Sequence, residues 1–282
     1  MTSARRRQLL GAAFAAPLVS GCTVIEGMFF YPDRVEYTRP DEFGLRHEDV
    51  SIESADGSRL HGWWLPAADA QGSVLHLHGN AANISNHLPL VAWLPAAGFN
   101  VLMVDYRGFG RSEGKPTLDG VVDDALAALR HLRMRVGLDA GRLIVLGQSI
   151  GGATALRMLA ADRAGVKLAV IDSAFASYRG IARDAALHSV VLAPFLPLAL
   201  PWLPPRERDP VAMLDRLDLP LLFIHGTADA VIPYRHTEQL HAAARGPKRL
   251  IRVDGGEHME ALMRSRVQEE VRGAMLAAVS GK

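Results

Sequence analysis

The chain contains a single cysteine, Cys22. That excludes an internal disulfide framework and a metal site built from several thiolates. No apolar run reaches the roughly 20 residues that a membrane-crossing helix needs. Neither sign of charge dominates: 31 Lys and Arg stand against 30 Asp and Glu, a formal net charge of +1. So small an excess argues against nucleic-acid binding as the main activity. Internal repeats and low-complexity tracts are absent. What remains is ordinary for a globular protein, with 49% apolar and 22% charged residues over 282 positions. Such a chain is not a disordered one, and it is long enough for one domain with a sizeable core.

The first 21 residues read as an export signal. Arg5-Arg6-Arg7 is followed by an apolar run from Leu9 to Val19, and then by Ser20-Gly21-Cys22. A basic start, a short apolar middle and small residues before a cleavage point describe a secretory signal peptide. Leu18-Val19-Ser20-Gly21-Cys22 resembles the lipobox of bacterial lipoproteins, in which the cysteine after the cut carries lipid. Arg6-Arg7-Gln8-Leu9-Leu10 partly matches a twin-arginine signal, and ordinary secretion stays open beside it. The expectation is a mature chain starting at Cys22, lipid-anchored in a bacterial cell envelope, with a membrane as its partner. Loss of residues 1–21 removes three arginines and no acid, leaving 28 cationic against 30 anionic residues. The competing reading is a buried first helix with a chance cysteine.

Residues 22–44 are expected to form a tether that packs onto the domain edge. Val50-Ser51-Ile52 and Leu60–Trp64 flank Asp56-Gly57, a hairpin signal. From residue 73 short apolar runs alternate with helical patterns. The strand candidates are Val74–Leu77, Asn100–Val104, Leu143–Leu146, Leu168–Ile171, Leu219–Ile224 and Arg249–Val253, with helices near 84–97, 118–136, 150–162, 234–244 and 258–278. Continuous apolar strands separated by helices imply a parallel sheet covered on both faces. The spacing predicts one α/β domain over 45–282 with an antiparallel hairpin at its edge. Between Ile171 and Leu219 the connection is far longer than a crossover needs. That stretch, about 178–218, includes Val190-Val191-Leu192, Phe195-Leu196, Leu200 and Trp202-Leu203, punctuated by Pro194, Pro197, Pro201, Pro204 and Pro205, and it reads as a small helical cap over a pocket.

Gly147-Gln148-Ser149-Ile150-Gly151 follows a strand and precedes a helix, the G-x-S-x-G arrangement in the context it requires. Side chains two residues either side of so sharp a turn would clash, which is why glycines flank it. Ser149 is the candidate nucleophile. A serine hydroxyl needs a base, and the base needs an orienting acid. With this elbow the chain order is serine, acid, histidine. His258, just past the last strand, is the candidate base. Asp229, just past strand Leu219–Ile224, is the candidate acid, with Asp172 and Asp254 as rivals. Asp254 and Glu257 read better as solvated turn residues. The two oxyanion donors are expected to be the backbone N–H groups of Ile150 and Asn80, with Gly79 permitting close approach.

In this order, these residues resemble the α/β-hydrolase superfamily over roughly residues 45–280. His78-Gly79-Asn80-Ala81-Ala82-Asn83 and Phe109-Gly110-Arg111-Ser112-Glu113-Gly114 are most similar to the branch that contains the ABHD13/Bem46-like proteins. The resemblance implies an eight-stranded, mostly parallel sheet, Ser149, Asp229 and His258 as the triad, and no cofactor. It implies that the loop Asp105–Ser112 is structural. One fold hosts many chemistries, so the substrate is not implied.

The activity expected is acyl transfer from an ester to water through an acyl-enzyme. A thioester or peptide bond is the alternative for the same residues. Leucines and Trp202 in the cap favour an apolar acyl group. A metal hydrolase using His76-Leu77-His78 is a second reading, weakened because no Asp-His pair follows nearby and no cysteine is at hand; no metal is expected. A non-catalytic envelope protein that keeps the fold is a third. The strained serine elbow argues against it.

Overall fold

Strands buried on both faces favour apolar side chains at nearly every position, and here most positions have them. The computed structural model describes residues 29–280 except 136, 188–193 and 195. Cys22 and the segment before it, with Val190-Val191-Leu192 and Phe195 of the cap, therefore lie outside the described residues. A short strand β1 (Tyr31–Pro32) is followed by β2 (Glu48–Glu53), β3 (Arg59–Leu65), β4 (Gly72–Leu77), β5 (Ala81–Ala82), β6 (Phe99–Val104), β7 (Leu143–Gln148), β8 (Val166–Asp172), β9 (Leu221–Gly226) and β10 (Lys248–Val253). Strands β4, β6, β7 and β9 are buried at every residue.

Eight of the strands form one sheet in the order β10-β9-β8-β7-β4-β6-β3-β2. The β2/β3 and β3/β6 pairs are antiparallel, and every other pair is parallel. The edge hairpin predicted around Asp56-Gly57 is the β2–β3 pair. Alternate residues of each strand face opposite ways. Leu75, Leu102 and Val145 face a core completed by helices α2 (Gly120–Met134) and α3 (Ile150–Ala161). Val74, Val101 and Ile144 face a second core, against helix α1 (Ile84–Val91) and the last helix. This is the three-layer α/β-hydrolase fold.

Among its described residues, the connection from β8 to β9 holds α4 (Tyr178–Leu187), α5 (Leu196–Ala199), α6 (Pro210–Met213) and the 3-10 turns Leu200–Trp202, Arg206–Arg208 and Leu214–Arg216. It is bound to the body at defined points. Arg208 donates to the Asp119 carboxylate at 2.6 Å, just before α2. The Asp184 carboxylate of α4 meets Nε2 of His236 at 2.7 Å, on helix α7 (Arg235–Ala243). The final helix, α8 (Ser265–Ser280), starts later than the periodicity suggested, and a 3-10 turn at Glu260–Met263 precedes it. His258 thus stands in an irregular turn and not at a helix start.

Residues 29–38 act as a strap. Phe29 and Phe30 are buried. β1 pairs in parallel with β5, two residues that no hydrophobic pattern could mark. The Asn83 side chain donates to the carbonyl of Val35 at 2.7 Å, and its oxygen caps α1 by accepting the Ser85 N–H at 3.0 Å. A buried ion pair fixes the hairpin to α2: Arg107 donates to Asp124 at 2.7 Å, and Ser54 donates to the same carboxylate at 2.6 Å. Truncating one partner of such a pair costs about 3–5 kcal/mol, because the other is left buried and uncompensated.

Candidate active site

Three loops at the carboxyl ends of β7, β9 and β10 converge. Ser149 follows β7 with φ 56° and ψ −122°, a backbone state that a non-glycine residue adopts only when its surroundings impose it. The imposition is visible. Its N–H is held by the carbonyl of Asp172 at 2.9 Å. A Cβ on Gly151 would lie 2.1 Å from the Leu77 carbonyl oxygen, and one on Gly147 would lie 2.5 Å from the Gly151 oxygen. Only glycine fits at either position.

Ser149 Oγ lies 3.1 Å from His258 Nε2, and His258 Nδ1 lies 2.7 Å from Asp229 Oδ2. The carboxylate calls for a proton on Nδ1, which leaves Nε2 free to accept from the serine hydroxyl. The structure thus brings the three candidates into one hydrogen-bonded chain. Their loops are also tied to each other. Ala228 N–H donates to Gly256 O at 3.0 Å, and Gly255 N–H to Thr227 Oγ1 at 2.9 Å. A Cβ on Gly226 would lie 2.1 Å from the Gly256 oxygen, so the two loops meet backbone to backbone. Met259, at φ 57°, turns the chain after the histidine, and its N–H reaches Ser173 Oγ at 3.3 Å.

His225, the last residue but one of β9, was not among the candidates. It is fully buried, and its Nε2 lies 3.1 Å from Asp229 Oδ2 and 2.8 Å from the carbonyl of Ile232. A carbonyl only accepts, so Nε2 carries the proton, and Nδ1 accepts from Thr237 Oγ1 at 2.6 Å. Asp229 Oδ1 takes the N–H groups of Val231 and Ile232 at 2.9 and 2.8 Å. Burial by itself raises the Asp229 carboxyl pKa. The bonds from His225 and His258 outweigh it and hold the group well below the usual carboxylate range. The only sequence signal for His225 is its place beside a strand-end glycine, four residues before an acid.

The rivals are placed elsewhere. Asp254 is exposed and pairs with Arg252 at 2.8 Å. Glu257 is exposed. Asp172 is fully buried, where burial raises its pKa against hydrogen bonds from Gln148 at 2.9 Å and Ser173 at 3.0 Å. Gln148 in turn accepts from His76 Nε2 at 2.9 Å. Burial pushes the His76 pKa down to about 3, and His78, stacked 4.4 Å from Tyr106, also goes well below its ordinary value. These imidazoles are neutral packing groups, and among the described residues no cluster of three or more His, Cys, Asp and Glu is disposed to hold a metal.

Ile150 opens α3, where the first backbone N–H groups have no helical acceptor. Asn80 sits in the loop after β4, and its carbonyl accepts the Tyr31 N–H at 2.8 Å. The strap therefore braces this loop from outside. Asp105 braces it from below, accepting the Ile84 N–H at 2.9 Å. A Cβ on Gly110 would overlap the Asp105 carboxylate at 2.3 Å, so the Asp105–Ser112 loop folds tightly over that acid.

A mostly parallel sheet with a serine on a strand–turn–helix elbow defines an α/β hydrolase. Residues 68–216 match the family described as Hydrolase_4, serine aminopeptidase S33. The uncharacterized protein YfhR of Escherichia coli K12 is 40% identical over 259 residues, covering 90% of this chain and 86% of that protein. The α/β hydrolase domain-containing protein WAV2 of Arabidopsis thaliana is 32% identical over 238 residues, covering 78% and 75%. Among solved structures, the Pyrococcus furiosus esterase Pf2001 superposes with a TM-score of 0.72 at 22% identity, over 88% of this chain and 97% of that one. The chain belongs to the serine aminopeptidase S33 family of α/β hydrolases.

Proposed function

We propose that this hydrolase cleaves carboxylic esters through an acyl-enzyme. The observation that carries the proposal is the unbroken chain from Ser149 Oγ through His258 to Asp229, at 3.1 and 2.7 Å. His258 Nε2 takes the serine proton as Oγ attacks the ester carbonyl. Asp229 keeps the imidazole in the required tautomer and stabilises the imidazolium. The amides of Ile150 and Asn80 receive the oxyanion, helped by the positive end of α3. His258 then gives its proton to the leaving alcohol, the alcohol departs, and water attacks the acyl-serine by the same route.

The branch resemblance carried by the 78–83 and 109–114 motifs, and a lipid on Cys22 that holds the protein in a bacterial envelope, belong to the same proposal. A peptide bond is the second reading, favoured by the family's description as an aminopeptidase. The apolar cap favours an acyl group.

Purified protein should react with a fluorophosphonate probe and turn over p-nitrophenyl esters, and Ser149→Ala should lower kcat by roughly 10⁴–10⁶. Near-wild-type turnover in that variant would mean another nucleophile. Faster turnover of an aminoacyl amide than of every ester in a chain-length panel would transfer the assignment to peptides.

A further inference from the structure

The large apolar side chains left exposed are not spread evenly. Ten are exposed among the described residues, and eight of them stand on the strap, on the cap, or on the loops after β9 and β10. Leu187, Leu198 and Trp202 belong to the cap, Val231 lies two residues past Asp229, Met263 closes the turn after His258, and Tyr31 is stitched to the Asn80 loop. Loops that leave the carboxyl ends of parallel strands share one edge of the sheet. These side chains therefore belong to segments on the edge of the sheet that carries Ser149. Met134, at the far end of α2, marks the opposite edge. Single exposed apolar residues are normal, whereas their concentration on one edge is not.

The point where the chain enters the fold lies on the same edge. Phe29 packs on Tyr178 and Phe175, at ring separations of 5.6 and 6.5 Å, where the cap begins. The described chain therefore begins, at Phe29, beside the start of the cap. Six residues separate Cys22 from Phe29, a reach of at most about 25 Å. An acyl group at that cysteine would hold Phe29, and the edge it packs on, within that distance of a bilayer.

We infer that the strap, cap and the two loops form a rim that docks on a phospholipid bilayer, and that the substrate is an amphiphilic ester drawn from it. The inference rests on the proposed role of Ser149. The rim is assembled from separate segments on the Ser149 edge, an arrangement suited to a fluid acyl layer that conforms to scattered side chains. Burial of each apolar side chain among the acyl chains favours docking.

The test uses the full chain carrying Cys22→Ser, so that no acyl anchor contributes. Turnover of p-nitrophenyl palmitate held in phosphatidylethanolamine–phosphatidylglycerol vesicles is compared with turnover of dissolved p-nitrophenyl acetate. The triple variant Leu187→Gln, Leu198→Gln, Met263→Gln should lose at least roughly tenfold on the vesicle substrate and keep its rate on acetate, while Met134→Gln should change neither. Equal loss on both esters, no loss on either, or equal loss with Met134→Gln would overturn the rim. So would a dimer, seen by light scattering, that the triple variant dissociates, since the face would then belong to a second copy. Acetate turnover that survives Ser149→Ala would instead sink the nucleophile assignment and is read separately.

Discussion

Two carboxylates close β8 and β9 on neighbouring strands, and the molecule treats them oppositely. Asp172 is the last residue of its strand, fully buried, and its donors are an amide and a hydroxyl. Asp229 stands three residues past its strand and receives two imidazole N–H groups and two backbone N–H groups. Burial raises the pKa of both. It wins at Asp172 and loses at Asp229. Being out of water does not make an acid useful to a histidine; the number and kind of its donors decides whether it stays ionised. The neighbours also divide the labour. The Asp172 backbone carbonyl holds the Ser149 N–H, and its side chain lies beneath the elbow, whereas the Asp229 carboxylate faces the imidazole.

The contrast is broken most directly by exchanging each acid for its amide. Asp229→Asn should lower kcat by about 10⁴ while leaving the fold intact, because the amide favours the wrong imidazole tautomer. Asp172→Asn should stay within about tenfold of wild type. Steady-state turnover of a p-nitrophenyl ester reads both, and equal losses would mean that the two acids share the role.

His225 sharpens the contrast, since it is the donor Asp172 lacks. His225→Phe should lower kcat/KM by roughly 10- to 100-fold, the scale on which partners that orient a functional group act. His225→Gln, whose amide N–H can stand where Nε2–H stood, should recover most of it. A purely structural residue would show a loss of folded protein by circular dichroism and no selective rescue.

The sheet was legible because its strands are short apolar runs without alternation, and the hairpin because Asp56-Gly57 can adopt the turn. Ser149 was legible because a strained elbow demands glycines at fixed distances. Asp229 and His258 could be picked out by order and by their place after strands. His225 could not, because its role appears only when the chain turns back between Gly226 and Asp229 to set the acid over it. The strap was hidden for a similar reason. Its pairing covers two residues on each side, Tyr31–Pro32 with Ala81–Ala82, too few to leave a period. The final helix was placed too early because Glu260–Met263 carries helical composition in a 3-10 turn, while Met259 at φ 57° forbids a helix running through it.

The smallest expected effect is one of slope. Between an unfolded carboxyl value near 4 and its raised folded value, Asp172 holds a proton in the folded chain that the unfolded chain has released. Stability therefore falls as pH rises through that window. Asp229 has the opposite sign: its lowered folded pKa contributes stability that is present above the unfolded value and lost as pH falls. Asp172→Asn should remove the first component, so that its urea midpoint gains on wild type as pH is raised from about 4. Asp229→Asn should instead lose ground on wild type as pH is raised toward about 4 and keep a constant deficit above it. The amide at 172 can keep its oxygen toward the Gln148 NH₂ and donate to Ser173 Oγ, a constant offset that leaves the pH dependence untouched. Urea midpoints between pH 3 and 7 give the sign for each variant, and parallel curves for Asp172→Asn and wild type would show that Asp172 is ionised as readily as an exposed carboxylate.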